Sequence, residues 1–278
     1  MTSGSRPFRV SPTAGPSLSG EESGQGRTVV LLHGLTATRR YVLQGSRLLA
    51  RSGYRVISYD ARGHGESSPA AQRTAYEYAD LVDDLRHLLD EHGLEQPVLV
   101  GSSMGAATAL ALALEEPDRV AALVQITPAY DGSPRRDPAD LEHWDALADA
   151  LSDEDIDTFL ERSGVNAVPE RFREMALLAV RQRLEGHRDL RAVSDAVKVV
   201  ARSHAFSGLD GLNDLDLPVL VVGSRDDADA EHPLAVAEEY ANRLPRGELV
   251  VEEPGESPLA WRGSSLSKAI AAFLAAQS

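Results

Sequence analysis

The 278-residue chain predicts an α/β fold, with a mostly parallel central sheet covered by helices on both faces and an inserted helical cap. Three observations carry that expectation. Short apolar, β-branched runs alternate with stretches of helical periodicity, the pattern of successive β–α units. One of those units, PVLVGSSMGAATALALAL, turns from strand to helix between two glycines, Gly101 and Gly105. From about residue 130 to 208 the strands stop and charged, amphipathic helical sequence takes their place.

Taken in order, residues 1–27 are rich in Ser, Gly and Pro and read as a tail or, through Phe8 and Val10, as an edge strand. TVVLLHG is a buried strand ending at Gly34, and RYVLQGSRLLARSG reads as a helix closed by Gly53. YRVISYD is the next strand and runs into the glycine-rich ARGHGESS loop. EYADLVDDLRHLLDEHG places Leu81, Val82, Leu85, Leu88 and Leu89 at helical spacing. VAALVQITP is a further strand. DPADLEHWDALADALSDEDIDTFLERSG and PERFREMALLAVRQRLEG read as amphipathic cap helices. The β–α alternation then resumes with LPVLVVGSRDD, HPLAVAEEYANRLP, GELVVEE and the last helix, SSLSKAIAAFLAAQ. The expected division is a core of residues 28–129 and 209–278 with a cap of residues 130–208.

Composition narrows the function. Lys and Arg total 28 against 43 Asp and Glu, a net charge of −15, so nucleic acid and anionic membrane are not expected partners. The absence of cysteine excludes disulfides and thiolate chemistry and favours a cytoplasmic chain. The N-terminus lacks the apolar segment of a secretory signal. No Walker loop, H-E-x-x-H or dinucleotide G-x-G-x-x-G is present, so no cofactor or metal is expected. A small-molecule substrate is the expected partner, and homo-oligomerisation is left open.

Gly101-Ser102-Ser103-Met104-Gly105 matches G-x-S-x-G in the strand–turn–helix setting of a nucleophile elbow. The glycines give room for a sharp turn, and the N-terminus of the following helix favours negative charge beside the Ser103 hydroxyl. With LLHGLTAT, YDARGHGES and LVVGSRDD at matching spacings, the sequence resembles the α/β-hydrolase superfamily over about residues 28–276. The resemblance implies an α/β-hydrolase fold and a serine nucleophile at Ser103. It also implies an oxyanion hole from the backbone N–H groups of Leu35 and Met104. His33 and His64 then read as loop-shaping residues rather than bases. The acid expected after the strand that follows the cap is Asp226 of Gly223-Ser224-Arg225-Asp226, with Asp229 and Asp131 as alternatives.

The pattern breaks at the catalytic histidine. Where the family carries a G-H-S-P-like segment, this chain reads Pro254-Gly255-Glu256-Ser257-Pro258, with Glu256 in the histidine slot thirty residues after Asp226. A serine hydroxyl needs a base, and a carboxylate is about two pKa units less basic than an imidazole. Three readings follow. Another histidine serves Ser103: His232, His204 or His143. Alternatively, Glu256 is the base, alone or through water, sharing a proton with Asp226 as a coupled pair. In the third, the hydrolytic machinery is lost and the pocket supports lyase or proton-transfer chemistry, or ligand binding alone. The expected activity is hydrolysis of an ester, lactone or thioester of a small, partly apolar molecule.

The remaining features each have two readings. Trp144, Phe159, Phe172 and Met175 either line an apolar pocket under the cap or pack the cap on the core. Trp261 is a site wall or a core residue. Arg39 and Arg40 either meet a substrate carboxylate or form a surface pair.

Overall fold

The computed structural model describes residues 4–12, 15–225, 232–256 and 261–277. Its strands are β1 (Arg6–Val10), β2 (Leu18–Ser23), β3 (Arg27–Leu32), β4 (Tyr54–Tyr59), β5 (Val98–Ser102), β6 (Ala122–Ile126), β7 (Val219–Gly223) and β8 (Gly247–Val251). They form one eight-stranded sheet in the order β1-β2-β4-β3-β5-β6-β7-β8. The β1–β2 and β2–β4 pairs are antiparallel and every other pair is parallel. The N-terminal segment therefore supplies two strands at one edge.

The apolar runs are continuous because both faces of the sheet are covered. Along β3, Val29 and Leu31 join one buried cluster while Val30 and Leu32 join the other. The same alternation holds on β5, β6 and β7, with Val98 and Val100, Val124, and Leu220 and Val222 facing one way, and Leu99, Leu123 and Val221 the other. Helices α2 (Tyr78–Glu91), α3 (Met104–Glu115) and α8 (Leu234–Arg243) build the first layer, and α1 (Leu48–Arg51) and α9 (Gly263–Ala276) build the second.

The helix expected over residues 40–53 is not continuous. A 3-10 turn at Arg39–Tyr41 and the single turn α1 flank Gln44 and Gly45, which have φ of 46° and 75°. Two consecutive left-handed residues end a right-handed helix, and apolar spacing alone does not reveal them.

Between β6 and β7 lie α4 (Pro138–Ser152), α5 (Ile156–Arg162), α6 (Glu170–Glu185) and α7 (Leu190–Val200). Leu147, Leu151, Phe159, Leu184, Val193 and Val197 give this insertion its own buried cluster. Asp137, Asp155 and Asp189 accept hydrogen bonds from the backbone N–H groups of Ala139, Thr158 and Ala192, so part of the acidic run caps helices. The two stems of the insertion meet where the Gly208 N–H donates to the Gly132 carbonyl at 2.8 Å. A Cβ on Gly132 would stand 2.6 Å from the Gly208 backbone, so this close approach requires glycine.

One buried ion pair ties the loop after β4 to α2. Arg62 donates through Nε and Nη2 to the Asp84 carboxylate at 2.7 and 2.8 Å, with side-chain exposures of 7% and 3%. Arg62 also pairs with Asp80 at 2.9 Å and donates to the Ala75 carbonyl, so removing Asp84 leaves its charge only partly compensated. Asp84→Ala is expected to cost toward the lower end of about 3–5 kcal/mol in urea unfolding, and the double variant Arg62→Met/Asp84→Leu to recover part of that loss.

Candidate active site

Ser103 sits between β5 and α3 with φ 50° and ψ −111°, a conformation that non-glycine residues seldom adopt. The flanking crowding explains both glycines. A Cβ on Gly101 would lie 2.2 Å from the Gly105 carbonyl oxygen, and one on Gly105 would lie 2.4 Å from that of Leu32. The turn is held by hydrogen bonds from the Ser103 N–H to Ile126 and from the Ala107 N–H to Ser103, each 3.0 Å long. Met104 opens α3, so its N–H belongs to the helix end whose amides lack intrahelical acceptors.

The loop after β3 comes up to this turn. A Cβ on Gly34 would be in ordinary contact, 3.5 Å, with Cβ of Ser103. Leu35 follows and packs on apolar residues of both the core and the inserted helices. Leu35, Ser103 and Met104 are thus carried by neighbouring segments at the carboxyl end of the parallel strands, where α/β sheets hold their ligands.

A histidine cluster lies behind the loop, with His33 and His64 buried and His187 half-buried. The His33 and His64 ring centroids are 5.0 Å apart, and those of His64 and His187 are 5.6 Å apart. His33 accepts from the Ala61 N–H at 2.9 Å, and its Nδ1 meets the Gly34 carbonyl at 2.8 Å. The bonds place His33 and His64 in loop-shaping positions. His187, from the insertion, is a residue that sequence reasoning missed; no local pattern pairs it with segments 122 and 151 residues away. Burial, with the His64 ring beside each, pushes His33 and His187 down to about 3. Burial also lowers His64, against the opposing pull of its two carbonyl contacts.

Arg39 does not present itself to a substrate. Its backbone N–H donates to Asp60 at 2.8 Å, and its guanidinium bonds Asp60 and, at 2.9 Å, Glu66. Asp60 is fully buried and also accepts from the Glu66 N–H at 3.0 Å, so Arg39 neutralises an interior charge.

The other candidates are dispersed. Asp131 is exposed and accepts from the Ser133 N–H and hydroxyl at 3.2 and 3.0 Å. His204 is exposed and lies 3.3 Å from the Tyr130 hydroxyl. His143 meets Trp144 edge to face in the insertion, and His232 is half-buried just before α8. Glu256 is exposed, and its N–H donates to the Glu253 carbonyl at 3.2 Å. Arg171 of α6 reaches the adjoining Gly255 carbonyl at 3.4 Å. Asp226 and Asp229 lie outside the described residues. Phe159 is core, Trp144 packs against the same cluster, Met175 is 47% exposed, and Trp261 donates from Nε1 to the Gly223 carbonyl at 2.8 Å. Among the described residues no group of three histidine, aspartate or glutamate side chains is placed to hold a metal ion, and no helix is long and apolar enough to cross a membrane.

A strained serine between glycines, on the turn from a central parallel strand to a helix, defines a protein of the α/β-hydrolase class. The chain belongs to that family: the family model for the α/β-hydrolase fold matches residues 27–207. A thermophilic esterase from Thermogutta terrifontis superposes with a TM-score of 0.79 at 26% identity, over 98% of this chain and 99% of that one. A putative carbamate hydrolase from Caulobacter sp. is 30% identical over 236 residues, 83% of each chain. Epoxide hydrolase B of Mycobacterium tuberculosis is 40% identical over 108 residues, 39% of this chain and 30% of that protein. The chain thus spans about a third of the length of the first curated relatives it matches.

The neutral histidines carry a pH signature. Unfolded, His33 and His187 take up protons near 6.5, whereas folded they resist protonation down to about 3. The unfolded state therefore binds more protons across that window, so the stability they contribute is complete above 6.5 and declines as pH falls toward 3. The melting temperature is expected to drop on acidification below pH 6.5. His33→Gln, which keeps the acceptor for Ala61, is expected to flatten that slope relative to wild type.

Proposed function

We propose that the protein is a serine-type hydrolase that cleaves an ester, lactone or thioester of a small, partly apolar molecule. The observation that carries this reading is Ser103 itself, a side chain held at positive φ on the elbow beside Gly34. Such strain persists only where the surrounding structure enforces it. In the proposed reaction the Ser103 hydroxyl attacks the substrate carbonyl, and the N–H groups of Leu35 and Met104 receive the developing oxyanion. One such donor is worth about 3–4 kcal/mol of barrier. The four inserted helices act as a cap over the acyl or leaving group, with residues 130–208 as the specificity module. The resemblance to an esterase and to a putative carbamate hydrolase supports attack on a carbonyl.

Asp226 is the proposed acid. Glu256 and His232 are the two candidates for the base, Glu256 from its place in the histidine slot and His232 from its place on the loop beside Asp226. Glu256 also favours a second reading. A carboxylate in that slot suits moving a proton on a bound substrate without an acyl-enzyme, the chemistry of a lyase; with no turnover at all the pocket would serve binding only.

A fluorophosphonate probe separates these readings. Stoichiometric adduct, seen by intact mass on wild type and absent from Ser103→Ala, is expected for covalent hydrolysis. A folded wild-type protein that takes no adduct would move the lyase and binding readings ahead. If Glu256 is only a weak stand-in for imidazole, Glu256→His should raise kcat for a short-chain ester by about tenfold or more. A folded variant with lower turnover would instead assign the carboxylate a specific role.

A further inference from the structure

Three consecutive carbonyl oxygens of the loop after β3 each face a histidine ring nitrogen. Gly34 meets His33 Nδ1 at 2.8 Å, Leu35 meets His64 Nε2 at 2.5 Å, and Thr36 meets His187 Nε2 at 3.2 Å. The second nitrogen of each ring meets the segment after β4. His33 Nε2 accepts from the Ala61 N–H at 2.9 Å, His64 Nδ1 lies 2.8 Å from the Arg62 carbonyl, and His187 Nδ1 accepts from the Gly65 N–H at 2.9 Å. The three rings therefore brace one loop against another.

Donor counting ranks them. A neutral imidazole has one N–H and one lone pair. His33 and His187 each receive an N–H on one nitrogen, which leaves the other as a donor to its carbonyl, so both are fully matched as neutral rings. His64 has carbonyls at both nitrogens and, as a neutral ring, donates to only one at a time. The fixed struts are thus His33, which precedes the loop, and His187, which comes from the inserted helices between α6 and α7. His187 is itself well anchored: its N–H donates to Leu184 at 3.1 Å, and the Arg188 N–H donates to the Gly65 carbonyl at 3.0 Å. The insertion thus grips Gly65 from both sides.

We propose that His187 is a positioning residue, through which the inserted helices fix Thr36 and so aim the Leu35 N–H at Ser103. This rests on the hydrolase reading above. A loop that carries an oxyanion donor must be held to a fraction of an ångström, and small misplacements cost rate more than binding. His33 orders the loop from its amino side; without His187 the carboxyl side of the donor peptide loses its strut. The insertion then contributes to the chemical step as well as covering the site.

The test uses the full chain, with p-nitrophenyl butyrate turnover and the rate of fluorophosphonate labelling as readouts. His187→Phe keeps the ring but removes both hydrogen bonds. It is expected to lower kcat and the labelling rate about 10- to 100-fold while KM stays within about threefold. His187→Gln, which carries an amide donor to the Thr36 position, is expected to recover more of kcat than His187→Asn, which carries an acceptor to the Gly65 position. A His187→Phe protein with kcat within about twofold of wild type, or one in which KM alone changes, overturns the proposal. Should the Phe variant not fold, equal kcat in the Gln and Asn variants overturns it. If wild type itself neither labels nor turns over ester, the hydrolase reading fails and amide hydrogen exchange decides the positioning role. Faster exchange at residues 34–37 in a His187 variant, with α2 unchanged, supports it, and unchanged exchange there overturns it.

Discussion

The turn at Ser103 is the constraint around which the rest of the molecule is arranged. An L-residue at φ 50° is held there by what surrounds it: the Ser103 N–H on Ile126, α3 starting at Met104, and Gly101 and Gly105 packed against each other and against β3. The turn needs β3, β5 and β6 in parallel register, and the layers on both faces of the sheet keep them so. The strain is local, but its cost is spread over a core in which β3, β5, β6 and α3 are nearly all buried.

Charge is handled in two ways. At the surface the excess of carboxylates is largely solvated, capping helices through Asp137, Asp155 and Asp189 or pairing with arginines. Inside, Asp60 and Asp84 pair with Arg39 and Arg62, which also reach the more exposed Glu66 and Asp80. Both pairs involve the loop after β4 that also receives the histidine rings, so the region behind the loop after β3 is polar rather than apolar. A polar network of that kind gives a unique geometry where an apolar one would permit several.

The central strands β3 to β7 were legible because burial on both faces makes each a short, largely apolar run, and the elbow because its glycines lie within five residues of one another; β2, LSGEES, was missed because a strand of that composition carries no apolar run. The order of elements and the helical insertion followed from periodicity. What escaped was long-range or conformational. RYVLQGSRLLARSG has the apolar spacing of a helix, yet Gln44 and Gly45 break it. Arg39 looks like a surface cation until Asp60, twenty-one residues on, is placed beneath it. His187 carries no local signal at all. Ser103 was nameable from its strand–turn–helix setting between two glycines, and Leu35 and Met104 only through the resemblance to the α/β-hydrolase family. Glu256 was legible only as a departure, since a slot in a motif records what stands there and not what it bonds.

The glycine pair at the stems has a consequence for modularity. The chain leaves the sheet near Gly132 and re-enters near Gly208, and the two points are joined by a direct backbone hydrogen bond. Topologically the four helices hang from the core like a locket from its clasp: departure and return coincide, so the sheet registers the clasp and not what it holds. An insertion of another length or sequence, grafted between the same two glycines, would leave β6 and β7 paired as they are. An insertion exchanged there would keep the clasp yet lose the contact of His187 with Gly65 unless it carried an equivalent side chain.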